Sequence, residues 1–197
     1  MGLLLGAVAL VSGGCGDPRA EPGGPEDGWS TLGCGNARVP ARVTVGSHTM
    51  PTTPVELAAA MERIERAGRA EFAESFAGIE VDQERVRAIV YRVPAEAFDD
   101  FVRRTAESSC IVVRNARHSA EALDAWHDRV IAELAFWSHR GLHIVSVGAR
   151  HDGSGVEIGT DDVDKARQEL LGRYGADAPL IFVPQAPARP LSLPPRA

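Results

Sequence analysis

Lysine is almost missing from this sequence: of 21 basic residues only Lys165 is not arginine, and tyrosine and cysteine occur just two and three times. A basic excess is missing too, since 27 acids outweigh the 21 bases and leave a formal charge of -6. A nucleic-acid binder needs cationic surface to displace phosphate counterions, so no nucleic-acid partner is expected. No apolar run reaches the roughly 20 residues that a membrane-spanning helix requires. What is present, 44% hydrophobic and 24% charged residues, is ordinary globular composition. The 197 residues allow one large domain or two small ones.

The N-terminus carries an address. Gly2 to Val11 is an apolar run of signal-peptide length, followed by the small residues Ser12, Gly13 and Gly14 and then Cys15. This resembles a bacterial lipoprotein signal, in which small residues fit the peptidase and the cysteine thiol receives a diacylglyceryl group. The resemblance implies lipidation at Cys15, with palmitate-type acyl chains and extracytoplasmic attachment to the cell membrane. Two departures stand: Ser12 occupies a position where leucine is usual, and no Lys or Arg precedes the run. A cleaved secretory peptide and an uncleaved N-terminus are the alternatives. If Cys15 is lipidated, Cys34 and Cys110 remain as an even pair outside the cytoplasm. They either form one disulfide across a long loop or stand as a loop thiol and a small buried hydrophobe.

Residues 16–31 are rich in Gly, Pro and acid and show no periodicity. The expected organisation is a signal peptide over 1–14, a flexible tether over 15–37, an α+β domain over 38–186 and a proline-rich tail over 187–197. Arg38 to Val45 alternates and reads as an edge strand. Thr53-Pro54-Val55-Glu56 combines a capping threonine, an N1 proline and an acid three residues on. Leu57, Met61, Ile64, Gly68, Phe72 and Phe76 then follow at helical spacing. A second amphipathic helix is expected from the Ser119 cap, with Leu123, Trp126, Val130, Leu134 and Trp137 on one stripe and Gly141 at its end. Both tryptophans are expected to be buried on one face.

Around this helix the pattern duplicates. Residues 78–116 and 141–185 each read strand, strand, helix, strand, and in the second the turn is His151-Asp152-Gly153-Ser154-Gly155, with Asp-Gly hairpin chemistry. Neither unit is long enough to bury much surface alone, so the two are expected to share a core with the connecting helix.

The segments GIEVDQERVRAIVYRV and VSVGARHDGSGVEIGT resemble the pro-regions of alpha-lytic-type serine proteases and related secreted actinobacterial α+β domains. The resemblance spans residues 78–185 and implies a domain that cradles a protease and occupies its cleft with a C-terminal tail. No protease domain follows, so what it implies here is a free-standing binder or inhibitor-like module, with no functional residue carried across.

The residues themselves offer little catalytic chemistry. Gly153-Ser154-Gly155 lies between strands, whereas a nucleophile elbow joins strand to helix. Asp161, Asp162 and Asp164 sit where a helix begins and suit its dipole, without the glycine and distal glutamate of a calcium loop. Asp124 and His127 are one helical turn apart, and their plainer reading is a hydrogen-bonded pair bordering the core. His139, His143 and His151 share no face. No catalytic residue, metal site or cofactor is expected. The chain reads as a cell-envelope lipoprotein that binds a protein partner, such as a secreted protease, without enzymatic activity. The alternative is a structural or accessory envelope protein.

Overall fold

The computed structural model describes residues 28–36 and 38–187. Cys15, the signal segment and most of the proline-rich tail lie outside them. The fold is α+β.

Helix α1 (Val55–Ala70) buries Leu57, Ala60, Ile64, Ala67 and Gly68, the stripe that its periodicity predicts. Its start and end differ from the sequence expectation. Thr53 does not cap it: the helix begins one residue later, after Pro54, and the Thr53 hydroxyl accepts a hydrogen bond from Gln83 at 3.2 Å. Phe72 and Phe76 fall beyond its end, yet both still join the same core, Phe76 from the start of strand β4 (Phe76–Asp82). Gly68 permits that approach, since a Cβ there would lie 2.5 Å from the Phe76 ring.

Strand β4 pairs antiparallel with β5 (Arg87–Arg92), helix α2 (Glu96–Thr105) crosses over, and β6 (Ile111–Asn115) returns parallel to β5. The sequence from α3 (Ala120–Ala132) onward repeats this plan. After the short helix α4 (Leu134–His139), β7 (Ile144–Ala149) and β8 (Val156–Thr160) form a hairpin, α5 (Val163–Tyr174) crosses over, and β9 (Leu180–Pro184) returns parallel to β8. The correspondence holds to single residues. Both hairpins carry a register shift at the same place, between Phe76 and Gly78 opposite Arg92 and Tyr91, and between Ile144 and Ser146 opposite Thr160 and Gly159. Ala88 pairs with Ile111 as Val156 pairs with Leu180. The duplicated pattern in the sequence is thus a duplicated structure, with a helix preceding each unit.

The expected shared core is two clusters. One gathers Ile64, Phe76, Val90, Phe98, Ile111 and Val113, and the other Leu123, Val130, Trp137, Leu142, Ile158 and Leu170. Helix α3 touches both, through Ala120 on the first and Leu123 and Val130 in the second. Ser119 caps it as expected, accepting from the Ala122 N–H at 3.2 Å. The expected single helix breaks at Glu133 into α3 and α4. Trp137 is fully buried, whereas Trp126, expected to be buried with it, is only half-buried, edge-on to Tyr174. Beyond α4, Gly141 takes the left-handed φ of 70° that stops a helix, and Lys165 donates to the Arg140 and Gly141 carbonyls at 3.1 and 2.8 Å.

The tether expectation fails over its last third. Gly28–Ser30 forms strand β1, antiparallel to β6, and Leu32–Gly35 forms a 3₁₀ turn. Three contacts hold this segment despite its loop-like composition. Trp29 packs on the first cluster under the Arg103 guanidinium, 4.4 Å from the ring centre. The Thr31 hydroxyl donates to the Ser109 carbonyl at 2.5 Å and accepts from the Ile111 N–H at 2.9 Å. Cys34 is disulfide-bonded to Cys110, which decides between the two cysteine readings.

The two units approach closely at two glycines. A Cβ on Gly78 would lie 2.4 Å from the His151 carbonyl oxygen, and one on Gly153, itself at φ 70°, 2.5 Å from Ala116 and from the His118 carbonyl. Gly78→Ala is therefore expected to lower stability by about 1–3 kcal/mol through overpacking. Gly148→Ala, where nothing lies within 4 Å, is the control and should melt with the wild type. Equal melting temperatures for both variants would show that the units are not clamped together at Gly78.

Candidate functional site

Residues 42–51 form a hairpin separate from both sheets. Strand β2 (Arg42–Val45) pairs antiparallel with β3 (His48–Pro51), in the register Arg42 with Pro51, Val43 with Met50, Thr44 with Thr49 and Val45 with His48. The turn between them is Gly46-Ser47, with Gly46 at a φ of 61° that suits glycine. The expected edge strand exists, but its partner is its own neighbour in sequence and not the domain sheet.

Side chains alternate across a strand, so this register sorts the hairpin into two faces. Arg42, Thr44, Thr49 and Pro51 share one, where the two threonine hydroxyls lie 2.9 Å apart. Val43, Val45, Met50 and His48 share the other. That apolar face is exposed: Val43, Val45 and Met50 are 42%, 64% and 48% exposed. Among the described residues no helix and no other strand makes more than a marginal contact with either strand.

A two-stranded hairpin is at best marginally stable alone, so its attachment matters. Arg42 grips both carboxylate oxygens of Glu84, in the β4–β5 turn, at 2.7 and 3.1 Å. Thr52 donates its N–H and its hydroxyl to the Ala41 carbonyl at 2.8 and 3.1 Å. The base is thereby fixed to the body. Val39, on the approach to β2, is 93% exposed and extends the apolar surface.

The other residues that the sequence singles out have structural roles. Asp162 caps α5, accepting from the Lys165 N–H at 3.0 Å, and Asp164 is exposed. Asp161 faces His143 at 3.3 Å. His127 and Asp124 are not partners as expected: His127 meets Asp128 at 3.0 Å, and Asp124 approaches Arg69 at 4.0 Å. His139 is exposed in the last turn of α4. Asp152 closes the β7–β8 turn by accepting from the Ser154 N–H and hydroxyl at 3.0 and 2.6 Å. Burial opposes its ionisation, but these two bonds and the nearby Arg150 and His151 outweigh it and hold the carboxyl below its usual range.

A cleft of about 280 Å³ lies between the units, lined by Glu65, Arg69, Phe76, Asp124 and His151 among others. At its edge Tyr91 donates to Glu80 at 2.8 Å, and His151 lies 3.8 Å from the same carboxylate. Burial, and then the Glu80 charge and hydrogen bond, push the Tyr91 hydroxyl up to about 12. The phenol therefore stays protonated near neutral pH. Among the described residues no three His, Cys, Asp or Glu side chains converge as metal ligands. None of the helices there is long and apolar enough to cross a membrane. No family model matches the chain, and no curated protein matches it.

Proposed function

We propose that this chain is a cell-envelope lipoprotein, held by acyl chains on Cys15, whose folded domain binds a protein partner through the apolar face of the β2–β3 hairpin and catalyses no reaction. One observation carries the reading: among the described residues Val43, Val45 and Met50 share an exposed face on a hairpin whose base is pinned by Arg42 and Glu84. Exposed apolar surface of this kind carries a standing hydration cost, which a partner relieves. The resemblance in the sequence makes a secreted serine protease the partner class to try.

The test is titration of the full chain, as extracted from membranes, against a panel of secreted chymotrypsin-like proteases. Val43→Lys with Met50→Lys is expected to weaken binding about tenfold or more, a loss of at least about 1.4 kcal/mol. The melting temperature should hold, because both side chains face solvent. Undiminished binding by the double variant would remove the hairpin from the interface. Cys15→Ala should release the protein from the membrane fraction, and membrane-bound material with an unmodified Cys15 would sink the anchor.

A further inference from the structure

The duplication exposes an asymmetry between the units. In the first, the outer edge of β6 is covered by β1, with Trp29 opposite Val113 and Ser30 opposite Val112. Ile111 and Val113 are fully buried there. In the second, β9 ends its sheet, and among the described residues no strand pairs with its outer edge. Leu180 and Phe182, which correspond to Ile111 and Val113, are only half-buried. The second unit has the acceptor edge without the added strand.

From this edge we propose that β9 is an interface between two copies of the chain, pairing antiparallel with β9 of a second copy about a two-fold axis at Phe182. The first unit shows what such a strand must supply: a large apolar side chain opposite Val113, which Trp29 provides. The position of Val113 belongs to Phe182 in the second unit. Turned about a two-fold axis, β9 places Phe182 opposite Phe182 and Ile181 opposite Val183. Aromatic and β-branched pairs of this kind are the favourable cross-strand combinations.

Two features fit a second copy. Leu180–Pro184 carries no charge, so self-pairing sets no like charges against each other; Pro184, opposite Leu180, lacks an N–H, so the ladder is carried by the N–H groups of Leu180 and Phe182. The flanking helix agrees. Phe98 and Val102 of α2 correspond to Ala166 and Leu170 of α5, which puts Leu171 where Arg103 covers Trp29. Leu171 is half-buried and apolar, a surface for a phenylalanine ring. A two-fold pairing uses the β9 edge of each copy and, being isologous, closes at two copies, joining two three-stranded sheets into one.

Sedimentation equilibrium of the full chain carrying Cys15→Ala, in mild detergent from about 1 to about 100 micromolar, tests this directly. The expected mass is that of a dimer over the upper part of that range. Val183→Lys should raise the dissociation constant at least about tenfold, by placing a charge on each side of the ladder. Oxidised Phe182→Cys should form a symmetric cross-link, because directly opposed Cα atoms lie about 4.5–5.5 Å apart, within disulfide reach. A monomer at every concentration overturns the proposal and leaves the edge to a strand from another protein. A dimer that Val183→Lys does not weaken, or that Phe182→Cys does not cross-link, places the interface elsewhere and overturns it equally. The outcome does not depend on what the hairpin binds.

Discussion

Arg92→Ala should lose about 3–5 kcal/mol of stability, enough to unfold much of the population of a marginally stable domain. Arg92 is 5% exposed at the end of β5, and its guanidinium holds both carboxylate oxygens of Asp99 at 2.7 and 3.1 Å while also donating to Asn115. Asp99 lies in the first turn of α2, so this fork ties the strand to its crossover helix. Truncation leaves a carboxylate without its counter-charge and an amide without its donor. The desolvation penalty remains while the attraction is gone. Replacing both charges together, Arg92→Met with Asp99→Leu, should recover most of the loss, since an ion pair that has been fully desolvated is worth little more than good apolar packing. The second unit carries no charge at the position of Arg92, where the fully buried Thr160 donates its hydroxyl to the His143 carbonyl instead. Urea unfolding of the two variants beside the wild type decides the matter. A single variant within about 1 kcal/mol of wild type would mean that the pair is solvated in solution.

Removing the disulfide should cost about 4 kcal/mol in the chain-entropy account, because the Cys34–Cys110 bond closes a loop with a sequence separation of 76. Cys34→Ser with Cys110→Ser, or reduction of the wild type, should lower the melting temperature strongly. The local effect should exceed the global one at β1, whose three residues have little else beyond Trp29 and the Thr31 hydrogen bonds to hold them. Hydrogen exchange at Val113, whose backbone faces Trp29 of β1, reads this separately from global unfolding. Unchanged melting with and without reductant would show that the bond constrains neither the unfolded chain nor β1.

What the sequence reveals follows from how local its causes are. Ser119, the Asp152-Gly153 turn and the helical stripes act within a few residues and are readable at sight. The duplication is readable because each unit repeats the same local causes in the same order. Strand β1 is not, for its partner β6 lies some 80 residues away and its composition is that of a linker. Nor is the break at Glu133, whose carboxylate takes hydrogen bonds from Arg173 and Tyr174 on α5, a contact that only the tertiary fold creates. Val86 is invisible for the same reason. Its φ of 51° is strained for a β-branched residue and is held because the side chain is buried in the β4–β5 turn. At the candidate site the alternation of Arg38 to Val45 announces a strand, while the register with β3 that exposes its apolar face is set by the turn at Gly46 and the Arg42–Glu84 clasp.

The disulfide also fixes how the chain carries load. Tension applied between the residues before Gly28 and those after Pro184 passes through the 3₁₀ turn and crosses at Cys34–Cys110 into the start of β6, a strand at the centre of its sheet. Helix α1, the hairpin over residues 42–51, β4, β5 and α2 all lie inside the closed loop and feel none of it along the backbone. That shunt hides about 250 Å of extensible chain. Pulling on the N-terminal side cannot draw out the hairpin segment along the backbone until that covalent bond is reduced.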